Sequence, residues 1–139
     1  MEYRKFGTRY IVRMDKGEEI ISKLKEFVIK EQIDLGYITG LGAVTDVEIG
    51  LFNTSEKKYY SKKFKEDYEI TSLHGNISTM HGETYLHLHM AISDKDQNTF
   101  GGHLNSATIC VTGELIVEVL SGKIDREFSE EIGINVIKF

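Results

Sequence analysis

Apolar side chains recur at the helical period only once in this chain. Between Asp15 and about Glu31, the residues Ile20, Ile21, Leu24, Phe27 and Val28 fall on a single stripe of a 3.6-residue helix. Asp15 followed by Glu18 has the form of a capping box, and Gly36 stands beyond the stripe as a stop. One helix is therefore predicted. Elsewhere the chain alternates with period two or is rich in β-branched and aromatic residues, over 10–14, 37–52, 57–78, 83–93, 107–120, 125–128 and 134–139. The expected class is α+β, a mostly antiparallel sheet with one helix laid on it. Turn signals lie at Gly40-Leu41-Gly42, His81-Gly82, Asp94 to Asn98, Gly101-Gly102 and Ser121-Gly122.

With 139 residues and no repeat, linker or shift in composition, the expectation is a single domain over 1–139. Hydrophobic residues make up 40% and charged residues 28%, which excludes collagen-like and disordered classes. The net charge of −5 disfavours nucleic acid and anionic membranes as partners of the whole surface. Cys110 is the only cysteine, so an intramolecular disulfide and cysteine-based zinc modules are excluded. The charged opening MEYRKFGTRY and the lack of a long apolar run argue against a signal peptide or membrane span, and a cytoplasmic location is expected. Gly40 and Gly42 lack the third glycine and the helix that a dinucleotide-binding loop requires.

The chemistry concentrates in the histidines. In Tyr85-Leu86-His87-Leu88-His89-Met90-Ala91-Ile92, the apolar Leu86, Leu88, Met90 and Ile92 point to one face, and His87, His89 and Ala91 to the other. Side chains at i and i+2 on a strand stand roughly 6–7 Å apart, close enough for two imidazoles to share one ion. A hairpin through Asp94 to Asn98 would return His103, in Phe100-Gly101-Gly102-His103-Leu104, beside that pair, with the glycines permitting close backbone approach. Three imidazoles leave a coordination position open, as catalytic and substrate-binding zinc sites do, and they suit nickel, copper or iron as well. The same histidines also fit the polar outer face of an amphipathic strand. His74 and His81 read as bystanders, with His81 at a hairpin tip.

These residues carry a resemblance. Leu73-His74-Gly75-Asn76-Ile77-Ser78, Leu86-His87-Leu88-His89, Gly101-Gly102-His103-Leu104 and Thr112-Gly113-Glu114 resemble the PPC domain, the plants and prokaryotes conserved domain. The resemblance implies a strongly bent antiparallel sheet with one main helix, assembled as a homotrimer. It also implies a divalent metal, zinc foremost, on His87, His89 and His103. In land plants this domain follows an AT-hook that contacts DNA, whereas this chain has no proline and hence no hook. A more distant similarity, to acetolactate decarboxylase, points to a metal that polarises a small oxo or hydroxy acid, with an arginine as clamp and a carboxylate as proton shuttle. Arg9, Arg13, Glu69 and Glu114 are the candidates for those catalytic roles. Glu114 also reads as a fourth metal ligand, as a group orienting an imidazole, or as a strand-end charge.

Two function classes follow: a metal-dependent small-molecule binder or enzyme, and a DNA-binding or regulatory module without a hook. The segment from Glu56 to Lys65 interleaves five lysines with three aromatics, a pattern that fits phosphate contact with base stacking. It fits better an edge strand with lysines outward and aromatics packed inward, as protection against aggregation. Cys110, in a strand-like run, reads as an inert buried thiol. A helix roughly 24 Å long covers only part of one sheet face, which supports self-association independently of the resemblance.

Overall fold

The computed structural model describes every residue from Met1 to Phe139. In chain order the elements are β1 (Glu2–Phe6), β2 (Arg9–Asp15), α1 (Ile20–Lys30), β3 (Gly36–Asn53), β4 (Lys58–Phe64), β5 (Tyr68–Met80), β6 (Glu83–Ser93), β7 (Thr99–Val119), β8 (Asp125–Ser129) and β9 (Ile134–Lys138). Seven strands form one antiparallel sheet in the order β1-β2-β7-β6-β5-β3-β4, and β8 pairs with β9 alone. The α+β class expected from the sequence is the one observed.

Strand length explains why this sheet must bend. β7 has 21 residues and β3 has 18, and an unbent strand of 21 residues would run about 70 Å, far beyond a domain of this size. The pairing of β3 with β7 shifts register between Gly42 and Val44, between Thr45 and Glu48, and between Glu48 and Ile49, and that with β5 shifts between Gly40 and Gly42. Each irregularity bends the strand that carries it. Because β3 pairs with both β5 and β7, and β6 bridges β5 to β7, the sheet closes a circuit upon itself.

The helix covers part of this sheet with the stripe read from the sequence: Ile20, Leu24, Phe27 and Val28 are buried, and Ile21 packs against them. Its boundaries differ from the expected ones. The capping residue is Glu19, whose carboxylate accepts from the backbone N–H of Ile21 and Ser22 at 3.0 and 2.7 Å. Asp15 and Glu18 instead close the turn that precedes the helix: Glu18 accepts from Asp15 N at 2.8 Å, and Glu18 N donates to Asp15 O at 3.2 Å. The stop is Gln32, in the left-handed conformation at φ 55, while Gly36 opens β3. An 11-residue helix spans about 16 Å and leaves more of the sheet uncovered than expected.

Other expectations on punctuation divide in the same way. His81 and Gly82, both with positive φ, turn β5 into β6, and Asp94 to Asn98 turns β6 into β7. Gly40, Gly42, Gly101 and Gly102 lie inside long strands and end none. β1 was not foreseen, since EYRKF carries too little apolar alternation to register; it adds to the edge at β2.

Phe27, 1% exposed, meets Tyr3 and Tyr10 edge-on at centroid distances of 4.8 and 5.1 Å, and both tyrosine hydroxyls donate to the Glu31 carboxylate. Phe27→Ala should therefore cost about 3–5 kcal/mol in urea unfolding, with an unchanged slope. A loss under about 1 kcal/mol would contradict this account of how the helix is held.

Candidate metal centre

On β6, Leu88, Met90 and Ile92 are buried at 1%, 2% and 0% exposure, and the alternate residues His87, His89 and Ala91 face outward. β7 returns antiparallel, so that His103 stands directly opposite His89. The three rings lie 5.2 Å (His87 to His89), 5.1 Å (His87 to His103) and 5.6 Å (His89 to His103) apart. One ring nitrogen from each falls within 4.8 Å of the others. The donor set and spacing fit a divalent ion held by three imidazoles.

The two glycines before His103 work by proximity rather than by unusual backbone angles. A Cβ on Gly102 would sit 2.6 Å from the carbonyl oxygen of Gly50 on β3, so no side chain fits between these strands. His103 itself pairs with Gly50. Small residues on both strands thus set the depth at which the third imidazole reaches the pair on β6.

His87 and His103 are half-buried and His89 is exposed. Burial, followed by the charges of His103, Arg126 and His89, lowers the His87 pKa from 6.5 to about 4. Burial and the neighbouring His89 lower that of His103 as well. Both rings are therefore neutral near neutral pH, the form in which imidazole binds a metal.

The cluster opens on a cavity of about 750 Å³. Besides the histidines, its walls include Tyr59 from β4, Tyr85 from β6, and Phe128, Ile134 and Asn135 from β8 and β9. No carboxylate lines it. Sequence reasoning missed these wall residues. Tyr85 was within reach of it, because it stands two positions before His87 on the same face; the hairpin residues are distant in sequence and carry no local signal.

The candidate catalytic residues are not brought to this cavity. Arg9 pairs with Glu118 at 2.9 Å, and Arg13 with Asp15 at 2.9 Å and Glu2 at 3.2 Å. Glu114 is exposed on β7 opposite Arg13, and Glu69 is exposed near the start of β5. Both lie on strands that also pass the histidines, but neither lines the cavity. His74 sits opposite His89 with rings 6.4 Å apart, outside the three-donor cluster, and its Nδ1 is 3.1 Å from Ser72 Oγ. His81 is at the turn foreseen for it. Cys110 is half-buried rather than buried, and burial raises its pKa, which keeps it a thiol.

β4 is the edge strand that its lysines indicated. Its aromatics depart from the expected inward packing: only Phe64 is buried, while Tyr59 and Tyr60 are 41% and 44% exposed. Tyr59 turns toward the cavity and donates to Asn105 Oδ1 at 3.0 Å.

A family model described as the Plants and Prokaryotes Conserved (PCC) domain matches residues 1–121. The chain belongs to this family. Among solved structures, a candidate DNA-binding protein from Bacteroides thetaiotaomicron is 38% identical, with a TM-score of 0.97 over 99% of this chain and 96% of its own. A metal-containing protein from Archaeoglobus fulgidus is 32% identical, with a TM-score of 0.88 over 97% and 95%. A plant- and prokaryote-conserved protein from Pyrococcus horikoshii is 30% identical, with a TM-score of 0.87 over 99% and 95%. A bifunctional GlmU protein from Synechococcus sp. (strain JA-3-3Ab) is 24% identical over 123 residues, 88% of this chain but only 18% of that protein.

A pH titration follows from the buried imidazoles. In metal-free protein the His87 ring resonances should stay fixed on acidification until the pH nears about 4, and a midpoint near 6.5 would contradict the burial argument. Between 6.5 and about 4 the unfolded chain binds this proton and the folded chain does not, so metal-free stability should rise with pH across that window.

Proposed function

We propose that this protein holds a divalent metal ion, zinc foremost, on His87, His89 and His103 and uses it to bind a small oxo or hydroxy acid. The observation that carries this reading is the convergence of three imidazoles, two of them kept neutral by burial, in a roomy cavity. Among related proteins, the one from Archaeoglobus fulgidus is described as metal-containing. A bound ion would supply Lewis acidity toward an oxo or carboxylate oxygen. The chain's own residues supply the rest: β6 and β7 orient the imidazoles, and the aromatic walls limit access of water. No carboxylate is present in the lining to shuttle protons, which favours binding over a carboxylate-assisted lyase step.

Self-association belongs to the same reading, as the homotrimer implied by the family resemblance. Ile11 and Ile116, 46% and 43% exposed, stand opposite each other on β2 and β7, and Leu41 and Tyr37 continue the apolar patch along β3 at 57% and 46%. The ion pairs of Arg9 and Arg13 rim this patch, which gives those residues a role away from catalysis. Ile116→Lys should shift the mass in light scattering from trimer to monomer; a wild-type monomer at micromolar concentration would remove the trimer.

A cytoplasmic setting suits a chain with one thiol, and no helix is long and apolar enough to cross a membrane. The competing reading, direct DNA binding, draws on the description of the Bacteroides thetaiotaomicron relative. Against it, lysines of β4 are already engaged: Lys62 lies over the Phe64 and Phe100 rings and Lys63 pairs with Glu48. A low-salt mobility shift of duplex DNA by the His87→Ala/His89→Ala protein would favour that reading.

Elemental mass spectrometry of untagged protein should find close to one metal per chain, lost in the His87→Ala/His89→Ala variant. Wild type that arrives metal-free and reloads with none of zinc, nickel, manganese or iron would overturn the proposal.

A further inference from the structure

The matched family domain ends at residue 121, yet part of the cavity wall comes from beyond it. Phe128 lies on β8 and Ile134 on β9, and Asn135 follows Ile134. They line the cavity together with the histidines, Tyr59 and Tyr85, and Asn135 donates to the Tyr85 hydroxyl at 3.3 Å. The β8–β9 pair therefore adds an apolar surface to a site whose metal-binding floor is complete without it.

Arg126 fixes that pair in place. The residue is 4% exposed, and its guanidinium donates to Ser78 Oγ at 2.8 Å and to Asn76 Oδ1 at 2.9 Å, both on β5, while covering the Tyr85 ring at 4.7 Å. Thr79 strengthens the joint by donating its N–H to Ile124 O at 3.0 Å and its hydroxyl to Asp125 Oδ1 at 3.1 Å. Asn76 and Ser78 stand opposite His87 and Tyr85, so the cation is held on the His87 face of these strands, beside the histidine floor. Arg126 forms no ion pair, although a buried cation normally has an anionic partner.

The inventory around the cavity is one-sided: its walls hold three imidazole donors and apolar or aromatic groups but no carboxylate, and next to the walls stands an arginine without an ion-pair partner. An ordinary two- or three-carbon acid leaves most of about 750 Å³ empty. We infer that the β8–β9 hairpin is the specificity element of this pocket, and that it selects an organic carboxylate carrying a bulky apolar or aromatic group. The inference rests on the acid-binding reading above. In this arrangement the acid group turns toward the histidines, and its apolar group lies against Phe128 and Ile134, with Arg126 as the positioning residue.

The experiment is calorimetric titration of zinc-loaded protein with pyruvate and with phenylpyruvate, in the wild type and in Phe128→Ala, Ile134→Ala and Phe128→Leu. Phe128 and Ile134 are 51% and 39% exposed, so their truncation leaves the core intact. Zinc content and thermal midpoint are measured on each variant. The wild type should bind phenylpyruvate at least about 10-fold more tightly than pyruvate. Either alanine variant should lose about 10-fold for phenylpyruvate and less than about 2-fold for pyruvate, with zinc content unchanged and Phe128→Leu intermediate. Equal affinity for both acids, or alanine variants indistinguishable from wild type, would overturn the hairpin's role while leaving the acid site standing. Failure of both acids to bind zinc-loaded wild type would overturn the acid reading itself.

Discussion

The site depends on the register of one strand. β6 is pinned by Leu88, Met90 and Ile92 on its inner face, each at most 2% exposed, and that pinning fixes where His87 and His89 point. A slip of one residue would bury both imidazoles and expose three large apolar side chains, at a cost of several kcal/mol in lost burial alone. The core therefore positions the three-histidine floor. The third imidazole adds a second constraint, the close contact of Gly102 with Gly50, which sets how deeply β7 seats beside β3.

From this floor the electrostatics follow. Half-burial strips water from His87 and His103 and keeps them unprotonated, so they are available as ligands without a carboxylate to tune them. The cavity walls around them carry no carboxylate, with Arg126 beside His87 on the same face and aromatic rings in the walls. On the proposed reading such a site takes an anion, and the apolar hairpin beyond the matched residues selects which one fits.

Much of this was legible in the sequence because two signals are short-range. The stripe through Ile20, Leu24, Phe27 and Val28 gave the helix, and strict alternation from Leu86 to Ile92 gave both the strand and the facing of its histidines. The hairpin through Asp94 to Asn98 was readable from its turn residues, and with it the return of His103. What the sequence did not reveal depends on bends and distant contacts. Glycines that resemble turn signals lie inside strands of 18 and 21 residues, because the same freedom that makes a turn also makes a bulge or a close approach. Glu69 and Glu114, neighbours of motif residues in sequence, stand too far along β5 and β7 to line the cavity. Arg126 and Phe128 arrive from a separate pair of strands that no local pattern ties to the histidines.

The central claim is that three imidazoles form one metal centre with an open side. X-ray absorption at the zinc edge on protein loaded with one equivalent of zinc tests it most directly. The account predicts three imidazole nitrogens at about 2.0–2.1 Å, no sulfur scatterer, and at least one oxygen ligand that is exchanged when an organic carboxylate is added. Fewer than three imidazoles, or a spectrum unchanged between wild type and the His103→Ala variant, would contradict it.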